Sequence, residues 1–156
     1  MNRKWNFLLL SALVAATLVV GVDYDTIQSQ TASYDSGDIA WMVVASAFVL
    51  LMTPGLAFFY GGMVNKKNVI STMLQSFVAL GVISVVWVAV GFSLCFGDSV
   101  GGIIGDPRTY LAFRGVGLVP NGDFAETIPF LLFALFQLKF AIITPALITG
   151  SFAGRI

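Results

Sequence analysis

Phe136, Phe140, Ile143 and Leu147 are spaced i, i+4, i+7 and i+11, which sets two rings and two aliphatic side chains along one helix face. Ring faces attract a cation through the aromatic quadrupole, worth about 0.5–2 kcal/mol. An aliphatic passage beneath them would exclude ions, so the column could line a narrow, dry pore. The same spacing serves ordinary packing against lipid or a neighbouring helix, and spacing alone does not separate the two. Leu56, Phe59, Tyr60 and Met63 make a similar face just past Pro54. Lys139 sits inside the third apolar run, where an ammonium costs about 2.5–3.5 kcal/mol on insertion scales. It can snorkel toward the helix N-terminus, pair with a carboxylate elsewhere, or take part in transport. No catalytic constellation accompanies these residues. There is no histidine, Cys95 stands alone, and no Gly-rich phosphate loop or intramembrane carboxylate pair is present. No enzyme activity, metal site or cofactor is therefore expected. Cys95, inside an apolar run, reads as a buried, inert thiol.

The elements that must carry these residues are membrane helices. The chain has 156 residues, 58% hydrophobic and 10% charged, against about 25% charged in a soluble domain. The fold class is an all-α, polytopic transmembrane helix bundle. Its organising stretch is Met52 to Asn68, where Pro54, Gly55, Gly61 and Gly62 lie among apolar and aromatic neighbours and two lysines follow. A membrane helix tolerates such residues because neighbouring helices re-satisfy the freed backbone groups and small residues allow close approach. Spans are expected at about 39–64, 69–96 and 127–152, each above the roughly 20 residues that cross the hydrocarbon core. Pro54 and Pro145 should bend the first and third, and Asp38 can cap the first. The four-residue turn at 65–68 makes the first two spans antiparallel neighbours. Within the 97–126 loop, a short interfacial helix is expected from Pro107 to Phe113. Residues 1–22 follow the plan of a signal peptide, with Arg3 and Lys4 before an apolar core, although a retained helix fits as well. Residues 23–38 read as a polar exterior linker.

Charge placement orients the bundle. With Arg3 and Lys4 inside, five of the eight basic residues (Arg3, Lys4, Lys66, Lys67 and Arg155) are cytoplasmic, and only Arg108 and Arg114 are exterior. All eight acids fall on the exterior side, where they either enrich a cationic solute or simply keep the loops polar.

The run D-I-A-W-M…M-T-P-G-L-A-F-F-Y-G-G-M-V-N-K-K-N…Q, Asp38 to Gln75, resembles the opening of the ammonium transporter family (Amt/Mep/Rh). F-Q-L-K-F-A-I-I-T-P-A-L-I-T-G-S, Phe136 to Ser151, resembles the family's third helix, and G-F-S-L-C-F-G, Gly91 to Gly97, the end of its second. The likeness covers residues 38–156, about three quarters of the chain, and P-G-x-x-x-F-Y-G-G followed by K-N is a specific signature. It implies a multi-pass protein of the cell (plasma) membrane that carries ammonium or ammonia, active in nitrogen uptake. The implied assembly is a homotrimer in which each eleven-helix subunit holds its own pore, with no nucleic-acid partner. Phe140 matches the vestibule gate and Phe136 its companion one turn earlier. Leu56, Phe59, Tyr60 and Leu147 match positions that line the hydrophobic pore or pack against it. The family's remaining eight helices, with the vestibule Trp and Ser, the second gating Phe, a buried Asp and two pore histidines, have no counterpart in these residues. Lys139 stands where the family has small or apolar residues, and Gly154 replaces the Glu of its A-E-R ending.

Three functions compete. The chain is the N-terminal part of an ammonium channel, expected to be an incomplete fragment because it stops directly after a span. Alternatively it is a non-transporting membrane subunit completed by a partner, or part of an ammonium sensor.

Overall fold

The computed structural model describes Ser11 and residues 33–152. The expected leader at 1–22 (Ser11 apart), the linker as far as residue 32, and Gly154 and Arg155 lie outside the described residues. Three long apolar rods form the bundle: α1 (Ser36–Met63), a second rod made of α2 (Val69–Val86) and α3 (Phe92–Phe96), and α4 (Phe130–Phe152). All three are long and apolar enough to cross a membrane. Each packs against the other two.

α1 starts three residues before the apolar run. Asp35 is its cap, and its Oδ1 accepts a 2.9 Å hydrogen bond from the Asp38 amide. A carboxylate here satisfies one of the amides that a helix start leaves free. Asp38, the expected cap, lies inside the first turn, and its Oδ2 accepts from the Thr127 hydroxyl at 2.6 Å. The Asp35 amide donates to the Thr127 carbonyl at 3.0 Å, and the Tyr34 hydroxyl donates to the Leu118 carbonyl at 3.1 Å. These bonds clasp the start of α1 to the segment leading into α4. Further down, α1 buries Thr53, Ala57 and Gly61, a stripe of small residues four apart. At Gly61 an added Cβ would come within 2.9 Å of the Met73 side chain, so the second rod approaches closely there.

The second rod is not a uniform helix. Between α2 and α3 lies one π turn, Trp87–Gly91. The turn aims the buried Trp87 indole across the bundle, and its Nε1 donates to the Ala134 carbonyl of α4 at 3.2 Å. Trp87→Phe trims the buried indole to a single ring and removes this bond, so it should lower stability by at least about 1 kcal/mol, read as the thermal unfolding midpoint in detergent.

Gly97 ends the second rod, where its amide donates to the Ser93 carbonyl at 2.8 Å. The fully buried Ser93 hydroxyl donates to the Asp106 carbonyl at 2.6 Å and accepts from the Tyr110 amide at 2.9 Å. Between these anchors stands an antiparallel hairpin of two two-residue strands, β1 (Ser99–Val100) and β2 (Ile104–Gly105). The helix expected over 107–113 does not form. Its place is taken by a turn and a single 3-10 turn, Leu111–Phe113, in which Ala112 and Phe113 have φ of 52° and 60°. The competing bonds explain this. Ser93 takes both the Asp106 carbonyl and the Tyr110 amide, the two groups that a helix starting at Pro107 would bond to each other. The Tyr110 and Phe113 rings both turn inward to Phe92, each at 5.5 Å.

Phe92 is the hub of the core at this loop end. It is fully buried, with the rings of Trp87, Phe96, Tyr110, Phe113 and Phe130 between 5.1 and 5.8 Å away. Cys95 points out of this cluster and is exposed, contrary to the buried thiol expected from its apolar neighbours. α4 begins at Phe130 rather than at Thr127, because Pro129 disfavours helical backbone at Ile128. The Leu131 amide donates to the Gly117 carbonyl at 2.9 Å, giving one free amide of the new helix a partner.

Candidate functional site

α4 has two contrasting sides. Ala134, Leu138, Ile142 and Ala146 are buried, a stripe every four residues that seals the three-rod core. Phe136, Phe140 and Leu147 form another stripe. Phe136 is half-buried, whereas Phe140 is 43% and Leu147 50% exposed. The Phe136 and Phe140 rings meet edge to face, with centroids 5.1 Å apart. Ile143, expected on this stripe, is only 7% exposed. Seven residues fall short of two full turns, so it leans toward the flank of Ala146. Thr144 takes its place on the open flank, and its hydroxyl turns back to the Phe140 carbonyl at 3.0 Å. A threonine four residues after Phe140 was the available signal for it, since such hydroxyls commonly bond the carbonyl one turn back.

On α1, Phe59 is 60% exposed and Leu56 half-buried. The Phe59 and Tyr60 rings lie 5.5 Å apart. Tyr60 joins the two stripes. Its hydroxyl donates to the Leu147 carbonyl at 3.1 Å. Its ring covers Gly150, where an added Cβ would come within 2.6 Å of the phenol oxygen. The structure therefore brings Tyr60 and Leu147 together, and Phe136 with Phe140. Phe140 lies seven residues before Leu147, about 10 Å further along the axis. Gly150 is the residue missed in the sequence, where a lone glycine in T-G-S carries no sign of the ring above it.

The side chains on this surface are apolar and aromatic apart from Thr144 and the Tyr60 phenol, whose hydroxyls both donate to backbone carbonyls of α4. Lys139 is half-buried on the same helix, and among the described residues no carboxylate pairs with it. A separate groove of about 480 Å³ opens between α2 and α4, lined by Leu74, Gln75, Val78, Val82, Pro145 and Thr149 among others. None of the six site residues expected from the sequence lines it. The open stripe thus runs from two rings at one end to Leu147, held by Tyr60, at the other.

The Ammonium Transporter Family model matches residues 40–156. The chain is 48% identical over 135 residues to an ammonium transporter of Mycobacterium bovis, covering 78% of this chain and 28% of that protein. It is 47% identical over 126 residues to an ammonium transporter of Aquifex aeolicus, covering 80% of this chain and 29% of that protein. Among solved structures it is similar to the Mep2 mutant delta442 from Candida albicans. The TM-score is 0.61 at 25% identity, over 82% of this chain and 31% of that one. The chain thus spans less than a third of the length of these relatives.

Proposed function

This chain belongs to the ammonium transporter family, and from that premise we propose that it forms the N-terminal wall of an ammonium-conducting pore. The role is transport, not catalysis. The observation that carries this reading is the stripe of Phe136, Phe140 and Leu147, held open on the side of α4 away from the sealed core and tied to α1 by Tyr60. An ammonium ion arriving at the loop end meets the ring faces of Phe136 and Phe140. The quadrupole attracts it, and the apolar surroundings strengthen the attraction as water is shed. Beyond the rings, the only polar side chains beside Leu147, Leu56 and Phe59 among the described residues of the stripe are the Thr144 hydroxyl and the Tyr60 phenol, both already donating to backbone carbonyls, so a bare charge is disfavoured there. An uncharged amine therefore crosses this stretch more readily than the ammonium ion.

One wall does not close a pore. The opposite wall comes from further chain of the same protein, in which residues 39–156 are the first part of the transporter domain. Residues 1–22 act as a leader and the positive-inside arrangement sets the loop end outside, in the plasma membrane. The assembled protein is a homotrimer serving nitrogen uptake. The test is uptake by the whole gene product in ammonium-uptake-deficient cells, with Phe140 and Leu147 varied singly. Growth on low ammonium that depends on both residues supports the reading. Uptake insensitive to both removes the stripe from the pore.

A further inference from the structure

We infer that Tyr60 and Gly150 form a lock that sets pore width at Leu147, making Tyr60 a positioning residue for discrimination between ammonium and larger amines. The inference rests on the pore reading above and deepens it.

Pro145 has no amide hydrogen, so the carbonyl of Ala141 lacks its donor within α4. The missing bond leaves the helix easier to bend there, and Leu147 lies two residues beyond Pro145 on the part that would move. Left to itself, that segment would let the Leu147 side chain shift toward or away from the open stripe. Tyr60 removes the freedom in two ways. Its hydroxyl holds the Leu147 carbonyl at 3.1 Å. Its ring lies on Gly150, where no side chain keeps it away and an added Cβ would come within 2.5 Å of the ring carbon Cε1. Hydrogen bond and ring contact fall three residues apart on α4, one on each side of a single turn, so they fix both its height and its distance from α1. The phenol of Tyr60 is thereby committed to the helix backbone, and the passing substrate meets Leu147 rather than that hydroxyl.

The experiment compares methylammonium with ammonium flux in liposomes carrying the whole gene product. Tyr60→Phe removes one oxygen and leaves the ring on Gly150. It should raise the methylammonium-to-ammonium flux ratio about two- to tenfold, the range one neutral hydrogen bond supports. Gly150→Ala, which displaces the ring, should change the ratio in the same direction. Leu147→Ala widens the pore directly. On that background Tyr60→Phe should add almost nothing, because it acts through Leu147. A merely structural role for Tyr60 would lower both fluxes in proportion and leave the ratio unchanged. An unchanged ratio in Tyr60→Phe, or full additivity with Leu147→Ala, overturns the inference while the pore reading stands. If Leu147→Ala and Phe140→Ala both leave either flux unaltered, the pore reading fails instead.

Discussion

Phe140→Ala should lower ammonium uptake by the whole gene product about two- to thirtyfold, the spread of a cation–ring attraction as the site dries. The Phe140 ring is 43% exposed and lies edge to face against Phe136. Removing it takes away a cation-attracting face without opening the sealed core on the far side of α4. Phe140→Leu separates the two contributions of the ring. Leucine keeps much of the bulk and has no quadrupole. If attraction matters, the leucine variant loses apparent affinity for ammonium nearly as far as the alanine variant. If the ring serves only as a plug, leucine keeps uptake and alanine increases leak. Concentration-dependent uptake distinguishes these outcomes, and the attraction account requires the first.

Phe92→Ala should cost the most stability of any single change considered, about 3–5 kcal/mol for a fully enclosed ring. Five rings surround it, drawn from the second rod, the loop that follows it and α4. The cavity would lie where these segments join, so they cannot collapse on it together. The Tyr110–Phe113 turn depends on Phe92 most, because Ala112 and Phe113 adopt left-handed backbone there and the Tyr110 and Phe113 rings on either side of Ala112 are anchored on Phe92. Proteolysis should accordingly cut near 107–114 in Phe92→Ala before the helices unfold. Equal protease resistance in variant and parent would show that the cluster does not hold the loop.

What the residues disclosed and what they hid follow from the physics of each region. Long apolar runs between lysines and acids mark the three rods, since a membrane span must be nearly free of charge along its length. The pairing of Phe136 with Phe140 is also legible, because i and i+4 share a face on any helix. The start of α1 is hidden, as Ser36, Gly37 and Asp38 are polar and the first turn needs no apolar residue. The π turn at Trp87–Gly91 leaves no trace, because its residues are as apolar as those on either side. The loop helix expected at 107–113 is lost to tertiary competition. Ser93, fourteen residues before Pro107, takes the amide that such a helix would use. Tyr60 illustrates the same limit at the site. Its type and place suggest a pore wall, yet its hydroxyl belongs to Leu147, 87 residues away. The family signature was clear in the sequence, while the side of α4 that stays open emerged only once the rods were packed.

The most direct test of the central claim is chemical block at the stripe. Cys95, which is exposed, is first replaced by serine to remove background labelling. Phe140→Cys is then introduced in the whole gene product, and uptake is measured before and after treatment with a charged, thiol-specific reagent. If the stripe lines the pore, modification at position 140 stops uptake and excess ammonium slows the labelling. Complete labelling with uptake unchanged would contradict the account.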